Sequence, residues 1–225
     1  MTPLETNASL LTPTSGAEEL YDRICSGLLD KGYCIVPDAL PMDVSVPLLS
    51  RVVSLNNQDY QTAGTGREQQ HQVNHFVRRD QIHWLDDQQA DERLWINWIN
   101  GLKDAVNRRL MLGLFSYESH FARYEPGAFY KKHVDAFKGS KSRVLSTVLY
   151  LNPQWQDQDG GEFVLYDEHN HDKVIETVLP RFATLAVFLS EDFPHEVLPA
   201  NRTRYSIAGW FRVNGSVGNV IDPPR

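Results

Sequence analysis

The sequence predicts an α+β protein whose core is a β-sandwich or jelly roll. Apolar residues with helical spacing lie before residue 112, whereas short β-rich runs separated by turn residues follow from Phe115 onward. Strands spaced this closely favour two packed sheets over a parallel α/β fold. With 225 residues, of which 41% are hydrophobic and 23% charged, the chain is within the range of one β-rich domain.

Three helices are predicted in the first half of the chain. The first begins at Ser15, which precedes Glu18 as in a capping box, and stops at Gly32. The second covers approximately residues 43–55 and the third residues 88–111. The third helix has a broad apolar stripe that contains two tryptophans, and we expect this stripe to pack against a sheet.

The predicted strands are short runs of β-branched and aromatic residues bounded by glycine, proline or asparagine. They cover residues 33–36, 76–84, 121–124, 144–151, 162–166, 174–179, 183–189, 195–198 and 203–213.

A single domain is expected over residues 15–213, with loose tails at 1–14 and 214–225. Residues 57–75 are polar, contain glycine and lack a clear period, so we interpret them as a projecting, mobile substrate flap. His71 and His75 within it have the spacing of two metal ligands on a helix, but the segment has no helical apolar face.

Composition narrows the choice of compartment and partner. The net charge of −7 argues against a nucleic-acid partner, and no apolar run is long enough to span a membrane. The first residues lack a secretory signal, and Cys25 and Cys34 lack metal-binding spacing, so we expect a cytoplasmic protein with reduced thiols. One basic cluster suits an acidic protein or an anionic co-substrate, although a solvated charged face explains it equally well. Its members are Lys131, Lys132, Lys138, Lys141 and Arg143.

The strongest chemical signal is His133-Val134-Asp135, together with His195 about 60 residues later. In an extended strand, side chains two residues apart point the same way, so His133 and Asp135 would project together. A distant histidine would complete a two-histidine, one-carboxylate triad, which holds Fe(II) and leaves three coordination positions open. Asp167, His169 and His171 form a second group of potential ligands, but their charged turn favours a solvated loop.

Arg204 indicates the co-substrate. It follows His195 by nine residues on a strand whose alternation turns Arg204, Ser206, Ala208 and Trp210 to one face. A guanidinium that points into an apolar barrel needs an anion, and a bound dicarboxylate could be gripped bidentately. Tyr150 on another strand could reach the same carboxylate. The alternative for Arg204 is a structural ion pair with one of the many acidic residues.

These motifs resemble those of the prolyl 4-hydroxylase branch of the iron/2-oxoglutarate dioxygenases, within it the hypoxia-inducible-factor prolyl hydroxylases and their bacterial relatives. The resemblance covers about residues 17–213 and rests on these segments: Tyr124-Glu-Pro-Gly, His133-Val-Asp135, Tyr150-Leu-Asn152, Gly160-Gly161-Glu162, Pro194-His195-Glu196-Val197 and Arg204-Tyr205-Ser-Ile. It implies a double-stranded β-helix core with helices packed on one sheet.

The resemblance also implies roles for individual residues. His133, Asp135 and His195 would ligate iron, and Arg204 with Tyr150 would bind the distal carboxylate of 2-oxoglutarate. The remaining implied positions are Tyr124 and Trp210 in the co-substrate pocket and Arg143, Arg78 and Arg79 as substrate contacts. Fe(II), 2-oxoglutarate and O₂ are implied, ascorbate is an auxiliary cofactor that the resemblance allows, and succinate and CO₂ would be released.

The implied substrate is a prolyl residue of a protein, hydroxylated at C4, and among bacterial relatives that protein is elongation factor Tu. One departure is Ala208, which stands where the human-type enzymes carry a threonine, so their oxygen kinetics do not carry over. Two other functions stay open: a dioxygenase for a small molecule or another non-protein substrate, and a binding protein that responds to oxygen or 2-oxoglutarate.

Overall fold

The computed structural model describes residues 15–63, 77–136, 143–213, 216–217 and 220–221. In this part of the chain, the α-helices are α1 (Ser15–Lys31), α2 (Met42–Ser54) and α3 (Ala90–Leu110). All three agree with the sequence prediction to within two residues at each end. Gly32 ends α1 with a left-handed φ of 75°, and its N–H bonds the Leu28 carbonyl.

The strands agree with most of the predicted runs. They are β1 (Tyr33–Val36), β2 (Gln61–Thr62), β3 (Gln81–Trp84), β4 (Leu114–Tyr124), β5 (Tyr130–His133), β6 (Arg143–Tyr150), β7 (Phe163–Tyr166), β8 (Val174–Val178), β9 (Leu185–Leu189), β10 (His195–Val197), β11 (Arg204–Val213), β12 (Ser216–Val217) and β13 (Val220–Ile221). Single turns of 3-10 helix occupy Asn57–Asp59 and Asp157–Asp159.

Two antiparallel sheets form the core of the described structure, as the predicted double-sheet fold requires. The main sheet has the order β1-β9-β6-β11-β4-β3-β2, and the minor sheet has the order β5-β10-β7-β8. Strands β4 and β11 pair over their whole lengths at the centre of the main sheet. The minor sheet covers one face of the main sheet and carries two of the predicted metal ligands.

The three helices pack on the other face of the main sheet. Trp95 and Ile99 of α3 belong to the same buried cluster as Phe121, Ile207 and Phe211 of the sheet. A second cluster, between the sheets, contains Tyr150, Phe163, Leu165, Phe188 and Phe193. This arrangement confirms an α+β double-stranded β-helix with helices packed on one sheet.

Some local predictions fail or lie outside the described residues. The strand expected over 76–84 is regular only from Gln81, and Arg78 makes an isolated bridge with Tyr130. Most of the segment interpreted as a flap, including His71 and His75, is outside the described residues, as are Lys138, Lys141 and residues 1–14. Strands β12 and β13 pair within the segment expected to be a loose tail. Among the described helices, none has the length and apolarity needed to cross a membrane.

Candidate metal and co-substrate site

His133, Asp135 and His195 converge, as the sequence predicts. Their nearest ligand atoms all lie within 4.8 Å of one another, and they are the only such group of His, Cys, Asp and Glu side chains in the described residues. The Nε2 atoms of His133 and His195 lie 3.6 Å from Oδ1 and Oδ2 of Asp135, respectively. The two imidazole rings are 4.3 Å apart at their centroids. Such a set offers two imidazole nitrogens and one carboxylate oxygen to a metal.

Strand pairing explains how the two histidines meet. His133 ends β5, and its direct partner in the antiparallel register is His195, which begins β10. Cross-strand neighbours on one face are about 5 Å apart at Cβ, so their rings come together without any loop rearrangement. The side chain of His195 is buried against Phe163 and Phe188.

Asp135 does not lie in an extended strand, which was the condition under which His133 and Asp135 would project from the same face. Strand β5 ends at His133, and Asp135 occupies a bend. The reason is a contact with the main sheet: the Ser146 hydroxyl of β6 donates to Asp135 Oδ2 at 2.6 Å. The Ser146 and Ser190 hydroxyls are in turn 2.9 Å apart. The bend therefore carries the carboxylate away from the minor sheet and between the two imidazoles.

Backbone carbonyls orient both imidazoles for metal binding. His133 Nδ1–H donates to the Lys131 carbonyl at 2.8 Å, and His195 Nδ1–H donates to the Phe193 carbonyl at 3.0 Å. Each bond fixes the tautomer in which Nε2 keeps its lone pair, and metal-bound histidines are held by such bonds in general. These carbonyls could not be predicted from the sequence, because a backbone acceptor leaves no mark in the side-chain pattern.

The ionisation states of His195 and Asp135 also suit the binding of a metal cation. Burial, with a further contribution from His133, lowers the pKa of His195 to about 4, so its imidazole is neutral at pH 7. Burial alone would raise the pKa of Asp135, but the adjacent His195 and His133 and the Ser146 hydroxyl hold it well below its usual range. The site therefore combines an ionised carboxylate with a neutral nitrogen donor.

Arg204 is buried, with only 1% of its surface exposed, and together with Tyr124 and Tyr150 it defines the pocket. Its Nε donates to the Gly161 carbonyl at 3.0 Å and its Nη1 to the Ser206 hydroxyl at 3.3 Å. Nη2 is buried and has no hydrogen-bond partner among the described residues. None of the ion pairs in this part of the chain includes Arg204. The structural ion pair considered as its alternative role is therefore not found there.

Two tyrosines enclose the Arg204 guanidinium. Its Cζ is 5.0 Å from the ring centre of Tyr124 and 5.1 Å from that of Tyr150. Burial raises the pKa of both phenols well above the ordinary value, so both remain protonated. The Tyr150 hydroxyl is also buried without a partner in the described structure. An unpaired guanidinium donor and an unpaired phenol in one pocket are suited to a carboxylate.

Trp210 and the predicted substrate residues lie nearer to the surface. The Trp210 ring is covered by the Arg143 guanidinium at 3.8 Å, and Arg143 pairs with Glu118 at 2.7 Å. Arg78 pairs with Asp80, while Arg79 is exposed and lies over the Phe129 ring. A substrate role for these arginines stays a prediction.

The charged turn with Asp167 is the solvated loop that its sequence suggests. Asp167 Oδ1 accepts the backbone N–H groups of His169 and Asn170, and Lys173 pairs with Oδ2. The His171 carbonyl accepts a hydrogen bond from Lys132 at 2.8 Å. These residues form a surface turn and are not among the convergent ligands.

Comparisons with known proteins agree with this geometry. Residues 119–212 match the family described as the 2OG-Fe(II) oxygenase superfamily, and this match includes the triad, Tyr150 and Arg204. A solved structure of a Pseudomonas putida prolyl-4-hydroxylase is 36% identical, with a TM-score of 0.77, and the match covers 87% of this chain and 100% of that one. A Trichoplax adhaerens prolyl hydroxylase, solved with a peptide fragment of the hypoxia inducible factor oxygen degradation domain, is 27% identical with a TM-score of 0.78. That match covers 89% of this chain and 94% of the other.

Among curated proteins, human Egl nine homolog 1 is 28% identical over 80% of this chain and 43% of its own length. The mouse and rat proteins match over 46% and 55% of their lengths, so the chain spans about half of these relatives.

The chain belongs to the 2OG-Fe(II) oxygenase superfamily. Within it, the chain is a member of the prolyl hydroxylase branch, which confirms the resemblance seen in its motifs. Fe(II), 2-oxoglutarate and O₂ are accordingly the metal, co-substrate and oxidant of its family. The residues present fit these groups, because the donor set suits Fe(II) and the unpaired atoms of Arg204 and Tyr150 suit a carboxylate.

Proposed function

We propose that this protein is an Fe(II)- and 2-oxoglutarate-dependent dioxygenase that hydroxylates C4 of a prolyl residue in a protein. One observation carries the proposal: the described residues contain both a convergent His133, Asp135 and His195 group and a buried arginine with an unpaired donor. Tyr150, which lies beside Arg204, belongs to the same buried cluster as the Phe163 and Phe188 rings that contact His195. The triad accounts for the metal, and Arg204 accounts for a dicarboxylate co-substrate.

In this proposal each residue has a distinct role. His133, Asp135 and His195 hold Fe(II), which with 2-oxoglutarate and O₂ supplies the oxidising power for hydroxylation, with succinate and CO₂ released. Arg204 and Tyr150 bind and orient the distal carboxylate of 2-oxoglutarate. Tyr124 and Trp210 wall the pocket and exclude water from it. Arg143 and Arg79 are the proposed contacts for the substrate near the pocket entrance.

Similarity to prolyl hydroxylases supports a protein substrate. The Trichoplax relative was solved with a peptide, and its fold matches 89% of this chain. We further propose elongation factor Tu as the protein, following the resemblance to bacterial members. The basic cluster is weaker support than its sequence suggests, because Lys132 lies over the Tyr166 ring and bonds the His171 carbonyl, while Arg143 pairs with Glu118. Cys25 and Cys34 are both free thiols, which supports a cytoplasmic location.

The test is substrate-coupled turnover of 2-oxoglutarate by the Fe(II)-loaded protein. Purified elongation factor Tu is offered first, followed by proteins captured with the Mn(II)- and 2-oxoglutarate-loaded protein. We expect succinate release and a gain of one oxygen atom on a proline, located by peptide mass spectrometry. Hydroxylation of another protein would overturn the elongation factor assignment alone. Turnover with a small molecule and none with proteins would overturn the protein-substrate proposal.

A further inference from the structure

We propose that Arg78 and Tyr130 position the iron ligand His133, with Arg78 acting through the ring of Tyr130. The inference rests on the proposed function, because it concerns the metal centre which that function requires. Two features support it: the stack of Arg78, Tyr130 and His133, and the backbone hydrogen bonds between residues 77–79 and 129–131.

The stack joins a guanidinium, a phenol and the imidazole of a ligand. The rings of Tyr130 and His133 are 3.5 Å apart at their centroids and only 16° from parallel. On the other side of Tyr130, the Arg78 guanidinium carbon lies 4.3 Å from the ring centre. A cation above an aromatic face is attracted to it, so Arg78 holds the Tyr130 ring in place and that ring supports one face of the imidazole.

Asp80 fixes the orientation of Arg78. Two nitrogens of the guanidinium donate to the two carboxylate oxygens of Asp80, at 2.7 and 2.5 Å. The Asp80 side chain is fully buried and that of Arg78 is 11% exposed. Bidentate pairing in a buried place restrains the guanidinium plane, which is the property needed to cover a ring.

The backbone of the same segment also supports His133. Arg79 N–H donates to the Phe129 carbonyl and Lys131 N–H donates to the Val77 carbonyl, both at 2.9 Å. The Lys131 carbonyl then accepts the Nδ1–H of His133. Residues 77–79 therefore hold the strand whose carbonyl orients the ligand, while Arg78 supports the face of its ring. Groups that orient a metal-bound histidine contribute about 10- to 100-fold to metal affinity.

A second buried arginine provides a matched control. Arg123 is 8% exposed, lies 4.2 Å from the Tyr60 ring and bonds Gln81 and Asn57. It differs from Arg78 in its surroundings: among the described residues, neither Tyr60 nor the Gln81, Asn57 and Glu125 partners of Arg123 contact a member of the triad. Loss of Arg123 should therefore cost stability without altering the metal site.

The experiment measures Co(II) binding by the full-length protein without substrate, by calorimetry and by the visible absorption of the bound ion. The variants are Arg78→Met, Tyr130→Leu, Tyr130→Phe and Arg123→Met, each with its melting temperature. We expect Arg78→Met and Tyr130→Leu to weaken Co(II) binding about tenfold and to change its absorption. Tyr130→Phe, which keeps the ring, and Arg123→Met should bind as the wild type does. If Arg78→Met does not fold, Arg78→Lys gives the same comparison, because lysine lacks the planar bidentate group.

The outcomes separate this inference from the proposed function. The wild type should bind both Co(II) and 2-oxoglutarate. If Arg78→Met and Tyr130→Leu then bind Co(II) with unchanged affinity and absorption, the positioning role is overturned and the proposed function stands. An equal loss of affinity in Arg123→Met would also overturn it, since the effect would then follow stability. Failure of the wild type to bind any metal would remove the proposed function itself.

Discussion

His133 and His195 are direct partners across strands β5 and β10, so the minor sheet alone brings two of the three triad side chains together. The third, Asp135, is bonded to Ser146 of the main sheet. A metal held by all three would therefore connect the two sheets.

Replacement of Asp135 by alanine should abolish metal binding. The substitution removes the only anionic donor of the triad and leaves two imidazoles on one sheet. Mn(II) titration calorimetry should give no saturable binding, and substrate-coupled turnover should be lost. Asp172→Ala is the control, because that carboxylate is fully exposed and pairs only loosely with Lys132. Retention of full Mn(II) affinity by Asp135→Ala would show that the metal lies elsewhere.

Metal removal should destabilise the protein. A ligand that binds only the folded state at a hundred times its dissociation constant stabilises it by about 2.7 kcal/mol. Denaturant unfolding with saturating Mn(II), compared with unfolding in chelator, should show a difference of this order. The difference should vanish in Asp135→Ala; an equal effect there would mean that Mn(II) acts at another place.

Arg204→Met should weaken 2-oxoglutarate binding by about 10- to 100-fold, because hydrogen bonds to a charged group contribute about 1.5–3 kcal/mol. The stability of the ligand-free protein should change little, since a buried and incompletely paired charge is lost with its contacts. Calorimetry with the Mn(II)-loaded protein measures the affinity. Arg202→Met, an exposed arginine paired with Asp159, should bind normally. Unaltered affinity in Arg204→Met would exclude it as the carboxylate partner.

Gly161→Ala should reduce both stability and co-substrate affinity. Gly161 has a φ of 72°, and a Cβ there would lie 2.8 Å from the Ala200 Cβ and 3.2 Å from Arg204 Cδ. Gly127→Ala is the matched control, because its φ is 79° but nothing lies within 4 Å of its Cβ position. Both should lose about 1 kcal/mol from backbone strain. Only Gly161→Ala should lose more stability than this and bind 2-oxoglutarate less tightly. Equal losses of stability and affinity in the two variants would mean that backbone strain alone is responsible.

His120 should make the fold sensitive to acid. Burial, assisted by the nearby Arg78, lowers its pKa from 6.5 to about 4, so the unfolded chain binds the proton more readily. The contribution of neutral His120 to the free energy of unfolding is therefore fully present above about pH 6.5. It is lost as the pH falls toward 4, and the total loss is about 3 kcal/mol. Denaturant unfolding gives the free energy of unfolding at each pH between 7 and 4. This free energy should fall less steeply with decreasing pH in His120→Met than in the wild type. An identical slope would mean that His120 does not contribute.

The sequence predicted the parts of the fold and site that depend on local pattern. Helix limits follow from apolar spacing and Gly32, and the inward phase of Arg204 and Tyr150 follows from strand alternation. The convergence of His133 with His195 could be proposed because both belong to strand-like runs.

What the sequence did not reveal depends on contacts between distant segments. The bend at Asp135 arises from a bond to Ser146, and the pairing of Arg78 with Asp80 over Tyr130 needs β5 to lie beside residues 77–79. Neither neighbour is visible in the spacing of residues along one strand. Ser146 itself could have been identified, since it shares the inward face of β6 with Tyr150.

Strand β11 has a consequence for how proteins of this kind can diversify. One of its faces contributes Ile207 and Phe211 to the helix-covered core, and the other contributes Arg204 and Ser206 to the pocket. Substitutions on one face of β11 therefore act on core packing, and substitutions on the other face act on the pocket around Arg204. Arg79 and Arg143 lie outside β11 and nearer to the surface. Under the proposed function, residues that contact the protein substrate can therefore change without altering the strand that carries Arg204.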